Sequence, residues 1–159
     1  MQNRKKPNLK NKKSYNIQSS DVSVNITDDK ILDMLLASIS MEMSSISYYQ
    51  KLIEQADSDE TREMLSGIKA DEIKHEKMLK DIYFAATNKE AVVSLVESYV
   101  SGDRHKAYSD AIAHQLDTVE FSKRLYLIVK NQNVRDMMFD IITDEQMHVM
   151  KLTALMLKN

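Results

Sequence analysis

The stretch "DEQMH", Asp144 to His148, lies inside the apolar run "FDIITDEQMHVMKLTALML", and "DEIKH", Asp71 to His75, repeats its pattern. In each, Glu and His stand three residues apart, a spacing that puts both on one face of a helix, about 5–6 Å from each other. Apolar residues recur on that same face at steps of three and four. They are Leu65, Ile68, Leu79 and Ile82 around Glu72 and His75, and Met138, Ile141, Leu152 and Leu155 around Glu145 and His148. The sequence therefore predicts two helices that carry a carboxylate and an imidazole into their own cores.

Two further helices follow from the same periodicity. Ile31, Leu35, Ile39, Glu42, Ile46, Tyr49 and Ile53 form one stripe, opened by Thr27 as cap before Asp28-Asp29 and ended near "QADSDE", where Asp57 or Ser58 caps the next helix. A long helix over about 104–131 has Ile112, Ala113, Leu116, Glu120 and Leu127 on one side. The linker "KNQN" only reverses the chain. Between the two hairpins, "AATNKEAVVSLVESYVSGDRHK" is expected to hold a short helix over about 89–100, closed by Gly102. With 2 Gly and 1 Pro in 159 residues, the composition argues against turn-rich β architectures. The expectation is an all-α antiparallel four-helix bundle of residues 27–159, with a crossover connection and two-fold pseudo-symmetry. Each hairpin holds a Glu followed by DExxH, after 30 residues in the first and 25 in the second.

The tail, residues 1–26, is expected to be disordered. Its first 20 residues hold Arg4, Lys5, Lys6, Lys10, Lys12 and Lys13 with no acid, leaving the rest of a chain of net charge −2 at about −8. A solvated end is the plain reading, and contact with nucleic acid, an anionic surface or a partner shell the functional one, with no clear signal for nucleic acid. No apolar run reaches the roughly 20 residues of a membrane span and no signal peptide is apparent, so a cytoplasmic protein is expected. Val92, Val93, Leu95, Val96, Tyr126 and Ile128 lie off the inner stripes and point to a homo-oligomer, a dimer or larger.

Burying Glu42, Glu72, His75, Glu120, Glu145 and His148 uncompensated would cost several kcal/mol each, more than a domain of this size can absorb. A pair of metal ions compensates them: four carboxylates, two of them bridging, and one imidazole per ion. Hard oxygen donors with one nitrogen each suit iron, or manganese, better than zinc. No cysteine is present, which removes thiolate ligands and Cys-bound iron. Asp71 and Asp144 are placed to hold a ligating imidazole by its other nitrogen. Tyr49, two turns after Glu42, is core, or a catalytic partner whose hydroxyl bonds a ligand carboxylate or carries an electron. His105 and His114 fall off the stripes and are read as surface residues.

Glu42, Glu72-x-x-His75, Glu120 and Glu145-x-x-His148 resemble the six-ligand pattern of the ferritin-like superfamily, and within it the rubrerythrin-type branch, over residues from about 28 to 158. That branch carries a Tyr seven residues after the first Glu, where Tyr49 stands. The resemblance implies a di-iron oxidoreductase that reduces hydrogen peroxide or O2. Electrons would come from an external donor protein, since no rubredoxin-type cysteines occur. It also implies an extra Glu one turn after the third-helix Glu; Lys123 and Arg124 occupy that turn, with Asp117 one turn earlier as the candidate substitute. The alternatives are a ferritin-like iron store or the cargo of a shell, a di-manganese catalase, and a spore-coat-type structural protein with a vestigial site.

Overall fold

The computed structural model describes residues 28–94 and 98–158. The chain runs through α1 (Asp29–Glu54), α2 (Asp59–Thr87), α3 (Arg104–Ile128) and α4 (Gln132–Lys158). Each helix starts where a short polar side chain can accept a hydrogen bond from a free N–H of the first turn. Asp28 accepts from Lys30, Ser58 from Thr61, Asp103 from Lys106 and Asn131 from Val134. Asn88 ends α2 in the left-handed conformation, at φ 54°, which Asn tolerates better than most residues. Among the described residues no helix is long and apolar enough to cross a membrane.

The core divides into two apolar layers. One gathers Leu35, Ile39, Leu79, Ile82, Leu125 and Met138; the other gathers Tyr49, Leu52, Leu65, Ile68, Leu152 and Leu155. Helices α1 and α4 pass from the first layer to the second, whereas α2 and α3 pass from the second to the first. Contacts are densest within the hairpins α1–α2 and α3–α4 and sparser between α1 and α3 and between α2 and α4. All four of these pairs are antiparallel, and the connection between hairpins must run the length of the bundle. Lys51 donates to the Ser98 carbonyl (2.7 Å) and Ser98 to that of Ser44 (3.3 Å), pinning the connection along α1.

A constant offset of 73 residues relates the halves: Leu65 to Met138, Ile68 to Ile141, Leu79 to Leu152, Ile82 to Leu155. All eight are buried, so the expected pseudo-symmetry extends through the core.

Two expectations need correction. No helix forms at 89–100 among the described residues: 88–94 and 98–103 are irregular, and Gly102, with no positive φ, closes nothing. The segment is rich in β-branched valine, which loses rotamer freedom in a helix, and it is held by side-chain bonds from α1 instead. The inner face of α3 is also a different one. It is Ala107, Tyr108, Ala111, Gln115, Thr118, Val119, Ser122 and Leu125, while Leu116 and Leu127 are 53% and 71% exposed and Ala113 is exposed too. Of the apolar residues expected to mark a second buried surface, Val93 and Tyr126 pack against the first core layer, Val92 and Ile128 are exposed, and Leu95 and Val96 lie outside the described residues. The basic tail and Thr27 lie outside them as well, and the cap of α1 expected at Thr27 is Asp28.

Candidate metal centre

Between the two apolar layers lies a polar one. Glu42 from α1, Glu72 and His75 from α2, Gln115 from α3, and Glu145 and His148 from α4 are all buried, none more than 1% exposed. The i, i+3 spacing of each ExxH places both side chains toward the bundle axis, as expected.

The two carboxylates of the ExxH motifs each span the site. Glu145 presents Oε1 to His75 Nδ1 at 3.1 Å and Oε2 to His148 Nδ1 at 3.2 Å. Glu72 presents Oε2 to His75 Nδ1 at 3.7 Å and Oε1 to His148 Nδ1 at 3.4 Å. Glu42 Oε2 lies 3.8 Å from His75 Nδ1. The far nitrogens are held across the hairpins: His75 Nε2 is 3.3 Å from Asp144, and His148 Nε2 is 3.5 Å from Asp71. Asp71 and Asp144 thus stand where the sequence placed them, each serving the imidazole of the other motif.

An imidazole with carboxylates at both nitrogens is held in its doubly protonated form. Burial opposes that charge on His75, but hydrogen bonds to Asp144 and Glu145, with the Glu72 carboxylate nearby, outweigh it and raise the ring well above the usual histidine range. On His148 burial is likewise outweighed, by Asp71, Glu145 and Glu72, and its pKa is pushed up to about 10. Burial, with the charges of Glu72 and Glu145 added, pushes the Glu42 carboxyl well above the carboxylate range. In Glu72 burial is overcome by the two imidazoles beside it, His148 first and then His75, and the pKa falls.

Among the described residues, both oxygens of Glu42, Oε2 of Glu72 and Oε1 of Gln115 are buried without a hydrogen-bond partner. Native interiors rarely leave such atoms unsatisfied. Carboxylate oxygens from α1, α2 and α4 gather beside the His75 imidazole and form a donor set for a cation. Glu42, Glu72, His75 and Glu145 each contribute a ligand atom, all within 4.8 Å of one another.

Glu120 takes no part, contrary to expectation. Its side chain is 66% exposed and pairs with Arg124 one turn on. Asp117 is exposed as well, as is His105, while His114 is half-buried with Nδ1 3.3 Å from the Ser45 hydroxyl. The α3 residue that reaches the centre is Gln115, five positions before Glu120 and so roughly 140° away around the helix. Its amide donates to the Tyr49 hydroxyl at 2.9 Å and to Glu72 Oε1 at 2.8 Å. A signal for it was present: Glu42 precedes Glu72 by 30 residues, and the same interval before Glu145 lands on 115. Substituting Glu120 by Ala is expected to change stability by less than about 0.5 kcal/mol and to leave the metal content measured by atomic absorption unaltered.

Tyr49 closes the α1–α3 side of the layer. Its ring also forms part of the wall of a cavity of about 410 Å³ lined by Ser44, Ser45, Tyr48, Asp110 and His114. Burial, then the nearby charges of Glu72 and Glu145, raises the phenol pKa well above 10. Tyr49 is therefore a neutral hydroxyl, held by Gln115, between cavity and centre.

The rubrerythrin family model matches residues 33–156. The uncharacterized protein YhjR of Bacillus subtilis (strain 168) is 28% identical over 121 residues, which is 76% of this chain and 83% of that protein. Among solved structures, a hypothetical protein from Pyrococcus furiosus, Pfu-1136390-001, superposes with a TM-score of 0.69 at 20% identity, covering 80% of this chain and 90% of that one. That likeness is one of fold.

Proposed function

Since the chain belongs to the rubrerythrin family, we propose that its buried Glu/His layer is a di-metal centre that binds iron and reduces hydrogen peroxide or O2. The observation that carries this reading is the set of carboxylate oxygens on Glu42 and Glu72 that have no hydrogen-bond partner among the described residues, beside the His75 imidazole in a layer sealed at both ends by apolar side chains. Hard oxygens and one imidazole per ion fit first-row divalent ions, iron or manganese. Iron held by these residues would supply the electrons that reduce the oxidant.

The residues divide that work. Glu72 and Glu145 each offer one oxygen to either half and hold the two positions together. His75 and His148 offer Nδ1, with ring orientation fixed from behind by Asp144 and Asp71. The apolar layers exclude bulk water, which strengthens every charge interaction between them. The Tyr49 hydroxyl accepts from Gln115 and keeps its own proton to donate. A separate donor protein returns the electrons.

Anaerobic Fe(II) titration of the metal-free chain, followed by a pulse of peroxide or of O2 under optical observation, tests the reading. About two irons per chain and a charge-transfer band within seconds of peroxide are expected. Retention of iron well beyond two per chain, with fast O2 and slow peroxide, would move the protein to iron storage. Tight binding of manganese alone, with peroxide disproportionation, would make it a catalase. If neither metal binds, the layer is a buried polar network of a structural protein.

A further inference from the structure

The offset of 73 residues that relates the hairpins carries Asp71 to Asp144, Glu72 to Glu145, His75 to His148 and Ser45 to Thr118. Under the same operation Glu42 maps onto Gln115, the one place in the metal layer where a carboxylate meets a neutral amide. The geometry follows the sequence. On the His75 side, Nδ1 faces Glu145 Oε1 at 3.1 Å, Glu72 Oε2 at 3.7 Å and Glu42 Oε2 at 3.8 Å. On the other side, among the described residues His148 Nδ1 faces only the two shared carboxylates, Glu145 Oε2 at 3.2 Å and Glu72 Oε1 at 3.4 Å. There the amide of Gln115 donates to Glu72 Oε1 at 2.8 Å, occupying the oxygen that a cation in that half would use. The four ligand atoms that already converge within 4.8 Å belong to the His75 half together with the two bridges.

We propose that the centre is built as two unequal metal positions: a tight one formed by Glu42, Glu72, His75 and Glu145, and a weak, exchangeable one formed by His148 and the second oxygens of Glu72 and Glu145, with Gln115 as the residue that sets the difference. The proposal rests on the di-metal reading above. Three carboxylate groups and an imidazole surround the first ion. The second shares two of those carboxylates, receives no negative charge of its own, and must displace the amide N–H from Glu72. Coulomb attraction inside a dry layer makes one missing charge count heavily. Tyr49 adds to the inequality, because its counterpart under the offset is Ser122, and its hydroxyl fixes Gln115 in the donating orientation. The chain is therefore expected to load in order, keeping one resident ion and exchanging the other.

Anaerobic titration of the metal-free full chain with Co(II), read by visible absorption and by calorimetry, tests this without reference to turnover. Two binding steps are expected, with dissociation constants at least about tenfold apart. Gln115→Glu should tighten the second step by about tenfold or more while leaving the first in place, so that the steps merge. Glu42→Gln, which keeps the side-chain volume, should remove the tight step. Two equal steps in the native chain would overturn the proposal while leaving the di-metal reading intact, as would a folded Gln115→Glu chain whose second step is unmoved. If Gln115→Glu does not fold, as judged by circular dichroism, the native titration and Glu42→Gln decide. No cobalt binding in the native chain would overturn both the proposal and the reading it rests on.

Discussion

Replacing Glu145 by Ala is expected to destabilise the metal-free protein by about 3–5 kcal/mol at neutral pH, the cost of leaving buried charges without their partner. Glu145 alone stands within about hydrogen-bond reach of both inward ring nitrogens, at 3.1 and 3.2 Å, and it is fully buried. The measurement is a urea midpoint at several pH values. His75 and His148 have folded pKa values raised above the ordinary 6.5. The stability they contribute through their carboxylates is fully present below about 6.5 and is lost as pH rises through the folded values, about 10 for His148. The gap between native and variant midpoints is therefore expected to narrow from pH 7 toward pH 10. An unchanged gap would mean that the imidazoles are neutral and that Glu145 acts by packing alone.

Metal loading should release protons, and this is the second large effect. Both imidazoles are held protonated, and the Glu42 carboxyl is pushed toward its neutral form by burial and by Glu72 and Glu145. Ligands must give up those protons to bind a cation. Filling both positions at pH 7 is expected to release about two to three protons per chain, measured by calorimetry in buffers of different ionisation enthalpy. Apparent affinity then rises with pH across the neutral range. At 100-fold excess over each dissociation constant, each ion adds about 2.7 kcal/mol of stability, and a chelator should reverse the gain. Loading without proton release would contradict the charge state derived for the histidines.

Three of the four helices were legible because their inward faces combine large aliphatic residues with the ionisable ones. In α2 and α4 every residue of the expected stripe is buried, from Leu65 to Ile82 and from Met138 to Leu155. Helix α3 hides its inner face behind small and polar residues, Ala107, Ala111, Gln115, Thr118 and Ser122, while it shows Leu116 and Leu127 to solvent. An apolar-period reading was bound to choose the wrong side and, with it, Glu120. A neutral Gln also carries no mark of a ligand in a search for carboxylates. The connection misled for a related reason: an apolar run closed by a glycine reads locally as a short capped helix, but bonds from Lys51 and to Ser44 on α1 hold the described part of it in irregular form. The role of Asp71 and Asp144 could be read from their place beside each Glu. That each serves the opposite hairpin could not, because only docking of the hairpins creates it.

That crossed arrangement fixes the register in which the hairpins dock. Asp71 on α2 holds an imidazole of α4, and Asp144 on α4 holds one of α2, in antiparallel helices. A slide of one hairpin along the other by a single turn, about 5.4 Å, breaks both pairs together and strands four charged groups at once. Leu, Ile and Met side chains would tolerate such a slip far better, since one aliphatic contact substitutes readily for another. The polar layer thus works as a two-pin key: apolar layers on either side supply the adhesion, and the paired Asp–His contacts admit only one alignment.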